Sequence, residues 1–197
     1  MLRGMVFVDH MNFDIAIRDY YNSINQQVIS LDYNTVFRGI VSCFPNVDYL
    51  KTFIFAPHPD DFLMQDAVLC GYYKWFSGLS SNKYIDVVEG RYLARPTDES
   101  VPMDINNKKT YYKVEKGTDI NLAIHAISKA QSNSFDVAFI LSGDSDYINL
   151  YRQLKNMGKI VIVVAVKGQY LGKVIPECDD FKFLDDEFFS HHIRRAK

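Results

Sequence analysis

Five consecutive apolar residues, Val137-Ala138-Phe139-Ile140-Leu141, end abruptly at Ser142-Gly143-Asp144-Ser145-Asp146. A strand with no polar alternation is buried on both faces, and such strands belong to parallel sheets covered by helices on either side. Two carboxylates therefore stand where a buried strand runs out and a helix begins. In open α/β sheets, ligands bind in the crevice beyond the carboxyl ends of the strands. Acids gathered there repel one another unless a cation lies between them. The position of the chain's other acids then decides what it can do.

Further strands follow from the same reasoning. Met5-Val6-Phe7-Val8 is fully apolar and ends at Asp9. Residues 50–56 form a second run, stopped by Pro57 and Pro59. Residues 83–93 alternate and are rich in Val, Ile and Tyr, and residues 111–114, 160–166 and 181–184 complete the set. Helical spacing predicts helices over about 12–22, 32–43, 61–76, 118–131 and 144–157, with a short one after Asp185; Ile120, Ala123, Ile124 and Ile127 mark one apolar face. Strands alternating with helices predict a mostly parallel sheet with helices on both faces. Residues 96–109 are polar, with two prolines, and are predicted to be a mobile loop. No repeat or linker is visible, so a single domain over 1–197 is expected, with a core of about 5–166 and a C-terminal extension over 167–197. The basic tail from His191 to Lys197 is expected to fray.

Composition narrows the partners. The formal net charge is -2, so no global basic field draws nucleic acid, and attraction to phosphate must be local or carried by metal ions. Among the 13 Tyr, any that are exposed could stack on bases. No apolar run approaches the roughly 18 residues of a membrane span. Cys43, Cys70 and Cys178 lie far apart and are odd in number, against a disulfide framework. Asp9 arrives too early for a signal peptide, and a cytoplasmic protein is expected.

The acids fall at three strand ends or neighbouring turns. Asp9 closes the first strand, with Asn12 three residues on; Asp119 follows Lys116-Gly117 at the start of a helix; Asp144 and Asp146 follow the strand at 137–141. Adjacent strands would bring these groups within a few ångströms, where four carboxylates cannot all stay ionised without cations. Oxygen ligands without a nearby Cys or His favour Mg²⁺ or Mn²⁺ over Zn²⁺. One or two such ions suit phosphodiester hydrolysis. Singly, Asp119, Asp144 and Asp146 are explained as helix caps or first-turn acids, and Asn12 as the cap of the first helix. Asp9, with no helix to cap before Asn12, resists that explanation. The joint pattern carries the weight.

Phe7-Val8-Asp9-His10-Met11-Asn12 resembles the D-x-x-N opening of NYN-domain proteins, the PIN-like nuclease group that includes LabA-like proteins. Lys116-Gly117-Thr118-Asp119 with Leu122 is similar to that family's K-G-x-D-x-x-L segment, and Ser142 to Tyr147 to its S-G-D-x-D-[FY] motif. The resemblance covers about residues 6–166. It implies a PIN-like three-layer α/β/α sandwich with a mostly parallel central sheet and metal-dependent endoribonuclease chemistry on flexible RNA. It implies that Asp9, Asp119, Asp144 and Asp146 hold Mg²⁺ or Mn²⁺ and carry catalysis. Asn12 and Ser142, with Lys116, Arg91 and Arg95 from the basic surroundings of the 96–109 loop, are expected to meet the RNA. A homodimer is the expected self-association. One departure stands out: where many members carry an acid six residues after Asp119, this chain has His125. His125 favours one-metal hydrolysis, or a catalytically silent module that binds RNA or protein. A competing likeness lies in Ala56-Pro57-His58-Pro59-Asp60-Asp61, which resembles the A-H-P-D-D-E motif of zinc-dependent LmbE-like deacetylases. There Phe62 replaces the Glu, and the later histidine-containing ligand motif is absent.

Overall fold

The computed structural model of the protein describes residues 1–194. Seven strands form one sheet: β1 (Leu2–Asp9), β2 (Val47–Pro59), β3 (Ile85–Pro96), β4 (Tyr111–Lys116), β5 (Val137–Leu141), β6 (Ile160–Val166) and β7 (Asp180–Leu184). Their order is β4-β3-β2-β1-β5-β6-β7. Every neighbouring pair is parallel except β3 and β4, which run antiparallel. The six α-helices are α1 (His10–Ser23), α2 (Tyr33–Ser42), α3 (Ala67–Ser77), α4 (Thr118–Gln131), α5 (Ile148–Asn156) and α6 (Asp186–Ser190).

The uninterrupted apolar runs are the central strands. All five residues of β5 are buried, as is β1 from Gly4 to Asp9. On one face, α1, α2 and the aromatic end of α3 pack over Val6, Val8, Ile54 and Phe139. On the other, α4 and α5 pack over Phe7, Phe53, Phe55 and Ile140. Phe7 anchors this second layer, stacked at 5.7 Å on Phe53 and edge-on at 5.5 Å to Phe135. The architecture is therefore the three-layer α/β/α sandwich that the sequence predicts, and no helix among the described residues is long and apolar enough to cross a membrane.

β1 lies between β2 and β5, while its own helix α1 lies on the opposite face from α5, the helix that follows β5. The two chains leave the sheet in opposite directions and open a crevice between the ends of β1 and β5, the switch point where doubly wound sheets bind ligands. Val8 is level with Leu141, so Asp9 and Ser142 emerge side by side.

Several expectations need correction. The helix expected over 61–76 breaks into a short 3₁₀ turn, Leu63–Gln65, and α3. Asp60 causes the break: its carboxylate accepts from the Leu63 and Ala94 amides, and Asp66 then caps α3 afresh. By contrast, the segment expected to be a loop over 96–109 does connect β3 to β4 as a loop, with side-chain turns at Asp98 and Asp104 and the Thr97 amide donating to the Thr110 carbonyl. The tail does not fray over 191–194: the Arg194 amide donates to Ser30, Ile193 bridges Leu31, and the Arg194 guanidinium lies 5.6 Å from the Trp75 ring. Arg195, Ala196 and Lys197 lie outside the described residues.

Candidate active site

Asp9 is the N-cap of α1, which corrects the expectation that Asn12 holds that place. Its Oδ1 accepts the Asn12 amide at 3.2 Å. Its Oδ2 accepts the Ser142 hydroxyl at 3.2 Å and lies 3.4 Å from the Tyr147 phenol. The Tyr147 hydroxyl in turn donates to Asp119 Oδ1 at 2.9 Å. One phenol thus stands between two carboxylates drawn from separate elements.

Asp119 reaches this point because Gly117 takes φ 84°, a left-handed turn from β4 into α4 that other residues adopt only with strain. On the β5 side, Ser142 is a relay: its hydroxyl donates to Asp9 and accepts the Asp144 amide at 3.2 Å. Asp144 Oδ1 caps the following 3₁₀ turn by accepting the Asp146 amide at 2.9 Å. Asn12 fastens the two sides together: its Oδ1 accepts from the Gly143 amide at 3.0 Å and from Gln169 Nε2 at 2.9 Å. Gln169 is fixed by the Val166 amide at 2.8 Å. Gly143 allows this, since a Cβ there would sit 2.9 Å from Gln169 Nε2.

The electrostatics are unbalanced. Asp9 is only 5% exposed. Burial pushes its carboxyl up to about 6; the Asn12 amide and the Ser142 hydroxyl offset part of that, while the charges of Asp119 and Glu115 add to it. Burial likewise raises Glu115, with help from Asp119. Tyr147 is held far above the ordinary phenol range by burial and by Asp9, Asp119 and Asp144, so it keeps its proton. Among the described residues, no Lys, Arg or His forms an ion pair with Asp9, Glu115, Asp119, Asp144 or Asp146.

The structure therefore brings together Asp9, Asp119, Asn12 and Ser142, with Asp144 one hydrogen bond away through Ser142. Asp146 is exposed, and Arg91, Arg95 and Lys116 are exposed on β3 and β4. Among the described residues no three His, Cys, Asp or Glu side chains converge into a ready-made ion cage. The donors present still suit one hard cation. Mg²⁺ demands few protein ligands, typically one or two carboxylates, and keeps several waters. A buried carboxylate without a cation, facing a second one across a hydroxyl, is that kind of donor set.

Two of the histidines singled out in the sequence have other employment. His125 Nδ1 bonds the Asn121 carbonyl at 3.0 Å, and its ring packs on Phe55 and Phe53 at 5.5 and 6.1 Å. His58 Nδ1 lies 2.8 Å from the Pro59 carbonyl, and Asp60 is consumed by two backbone amides. The deacetylase likeness thus has no zinc cage behind it among the described residues.

Three participants escape sequence reasoning. Glu115 reads as one more residue of a polar edge strand, and only its pairing register turns it toward the other acids. The Tyr147 hydroxyl is invisible because its motif position also accepts Phe. Gln169 carries one signal, its place just beyond the carboxyl end of β6.

No curated protein matches the chain. Among solved structures, a crystal structure of a protein of unknown function from Vibrio parahaemolyticus RIMD 2210633 shares the fold, with a TM-score of 0.58, 18% identity and 95% of each chain covered. The profile described as the NYN domain matches residues 3–185, a span that holds every carboxylate of the crevice. With Asp9 and Asp119 sharing the Tyr147 hydroxyl at the switch point of a PIN-like sheet and the family profile spanning residues 3–185, this chain belongs to the NYN-domain family.

Proposed function

We propose that the protein is a metal-dependent endoribonuclease that hydrolyses flexible single-stranded RNA in the cytoplasm. The observation that carries this reading is the uncompensated pair Asp9 and Asp119, held at one hydroxyl in the crevice between β1 and β5. Asp9, Asp119 and Asp144 would hold a Mg²⁺ or Mn²⁺ ion, and Asp146 would complete its shell or orient a water. Such an ion, when bound, supplies an activated water and charge stabilisation for the leaving oxygen. The chain's own residues do the positioning. Ser142 and Tyr147 fix the Asp9 and Asp119 carboxylates by hydrogen bonds. Asn12, its oxygen engaged by Gly143 and Gln169, keeps its amide N–H groups for a phosphate oxygen. Arg91, Arg95 and Lys116 supply cations for the RNA backbone. The choice of RNA over DNA rests on the family likeness. The three free cysteines suit a reducing compartment.

The test is cleavage of single-stranded RNA with Mn²⁺ or Mg²⁺, comparing wild type with Asp144→Asn. Wild type should cut and the variant should not. If neither cuts, and no metal shifts the melting temperature, the reading fails. A second reading, RNA binding without cleavage, draws on the absence of three converging metal-binding side chains among the described residues. It predicts RNA binding with no cleavage by either protein.

A further inference from the structure

We propose that the outward face of the β3–β4 hairpin is a track for single-stranded RNA, formed by Arg91, Lys116, Arg95 and Tyr112. The proposal rests on the nuclease reading and specifies where its substrate lies.

The pairing register places Arg91 directly beside Lys116, so two exposed basic side chains stand in one row across β3 and β4. Side chains of directly opposed residues share a face, with Cβ atoms about 5 Å apart, and like charges so placed destabilise a sheet. The row has no internal remedy: among the described residues neither Arg91 nor Lys116 forms an ion pair. Two residues along the same face comes the half-buried pair Leu93 and Val114, and two further comes Arg95 opposite Tyr112. Tyr112 is 56% exposed. Arg91 and Arg95 are separated by about 13 Å of strand.

The other face of the same hairpin is different. Ala94 and Tyr111 are each 6% exposed and pack with Leu63. Lys113 lies on that face, with its ammonium 5.7 Å from the Tyr92 ring. The hairpin thus presents a core side and a solvent side, and the solvent side carries unpaired cations and an open aromatic ring. Single-stranded nucleic acid uses that combination, phosphates on the cations and bases stacked on the ring. An acidic protein surface would use the cations and leave Tyr112 without a role. Lys116, at the inner end of the track, precedes Gly117 and the helix that carries Asp119, while Glu115 beside it lies on the opposite face, the one turned toward Asp9 and Asp119.

The test is anisotropy of a short labelled oligouridylate in EDTA, so that nothing is cut, over a range of salt concentrations. The variants are Arg91→Ala/Lys116→Ala, Tyr112→Ala and, as a single-charge control on the opposite face, Lys113→Ala. The double variant should lose about tenfold or more in affinity and flatten the salt dependence by about 1.4, or 0.7 for each phosphate contact removed. Tyr112→Ala should lose about tenfold with the slope unchanged, and Lys113→Ala should match wild type. Unchanged melting temperatures would show that the variants fold. If the double variant binds like wild type, or Lys113→Ala loses as much, the track is wrong. The nuclease reading survives that result provided wild type still cuts RNA with Mn²⁺. If wild type neither binds nor cuts RNA, both proposals fall, and tight binding of polyglutamate instead would assign the face to an acidic protein.

Discussion

The crevice holds two pairs of acids that the sequence presents as equals and the fold treats differently. Asp144 and Asp146 form a self-satisfied turn: one caps the other's amide, and Asp146 is exposed to water. Asp9 and Asp119 come from elements far apart in the chain, and Asp9 is buried with a raised proton affinity and no cation beside it. The stronger sequence motif belongs to the relaxed pair, and the electrostatic cost to Asp9 alone in the other, since Asp119 is exposed like Asp146. The Ser-Gly-Asp-Ser-Asp stretch is thus conspicuous largely because it shapes backbone: it supplies the Ser142 relay, a glycine that admits Gln169, and a cap. The free energy that a cation could recover is stored at Asp9.

The sharpest way to test this contrast is Asp9→Asn. Cleavage should fall at least about a hundredfold, beyond the loss typical of an outer-shell residue. The metal-free fold should nonetheless become more stable at pH 7.5, by about 1–3 kcal/mol. The sign follows from the shift. Asp9 has a folded value of about 6 against an ordinary 3.8, so its contribution is fully present below about pH 4 and is lost as the pH rises through 6. Denaturation at pH 4 and pH 7.5 checks this: the variant's advantage should appear only at the higher pH. If Asp9→Asn is destabilised at both, Asp9 does not carry the electrostatic cost.

Tyr147→Phe comes next. Asp9 and Asp119 would lose the hydroxyl they share, and affinity for Mn²⁺ should weaken about tenfold by calorimetry, with the fold intact. In wild type the rise in melting temperature with Mn²⁺ should be large at pH 7.5 and small at pH 5, because binding needs the ionised Asp9. An unchanged affinity in Tyr147→Phe would make the phenol a bystander. In stability, as distinct from cleavage, the smallest effects belong to the relaxed pair. Asp144→Ala should cost about 1 kcal/mol in chemical denaturation through the lost cap, whereas Asp144→Asn, an equally good cap, should cost little. Asp146→Asn should stay within about 0.5 kcal/mol of wild type. A larger loss at Asp146 would mean that the two pairs are not so different.

Much of the scaffold is legible from local pattern. The bounds of α4, β5 and β6 coincide with those predicted, because fully apolar runs and a clean helical face admit few other structures. The predicted helix at 61–76 fails because its interruption comes from Ala94, thirty-four residues away, whose amide claims Asp60. The acids at strand ends were legible as a set, and their hydrogen-bonded order was not. That Asp9 caps its own helix while meeting Ser142 depends on how β1 pairs with β5. That Lys116 stands beside Arg91, and Tyr112 beside Arg95, depends on the β3–β4 register. Neither is written in local spacing.

The central position of β1 has a consequence for how the protein comes into being. β1 must wait for β5, made later, to gain its second neighbour, and Asp9 meets Ser142 across 133 residues of chain. Contacts of such sequence separation form late and slowly, and domains generally fold as units as they leave the ribosome. A nascent chain that stops short of β5 contains Asp9, Asn12 and Asp119 but no crevice to hold them. On the proposed nuclease reading, such a chain could cut no RNA until β5 had also been made.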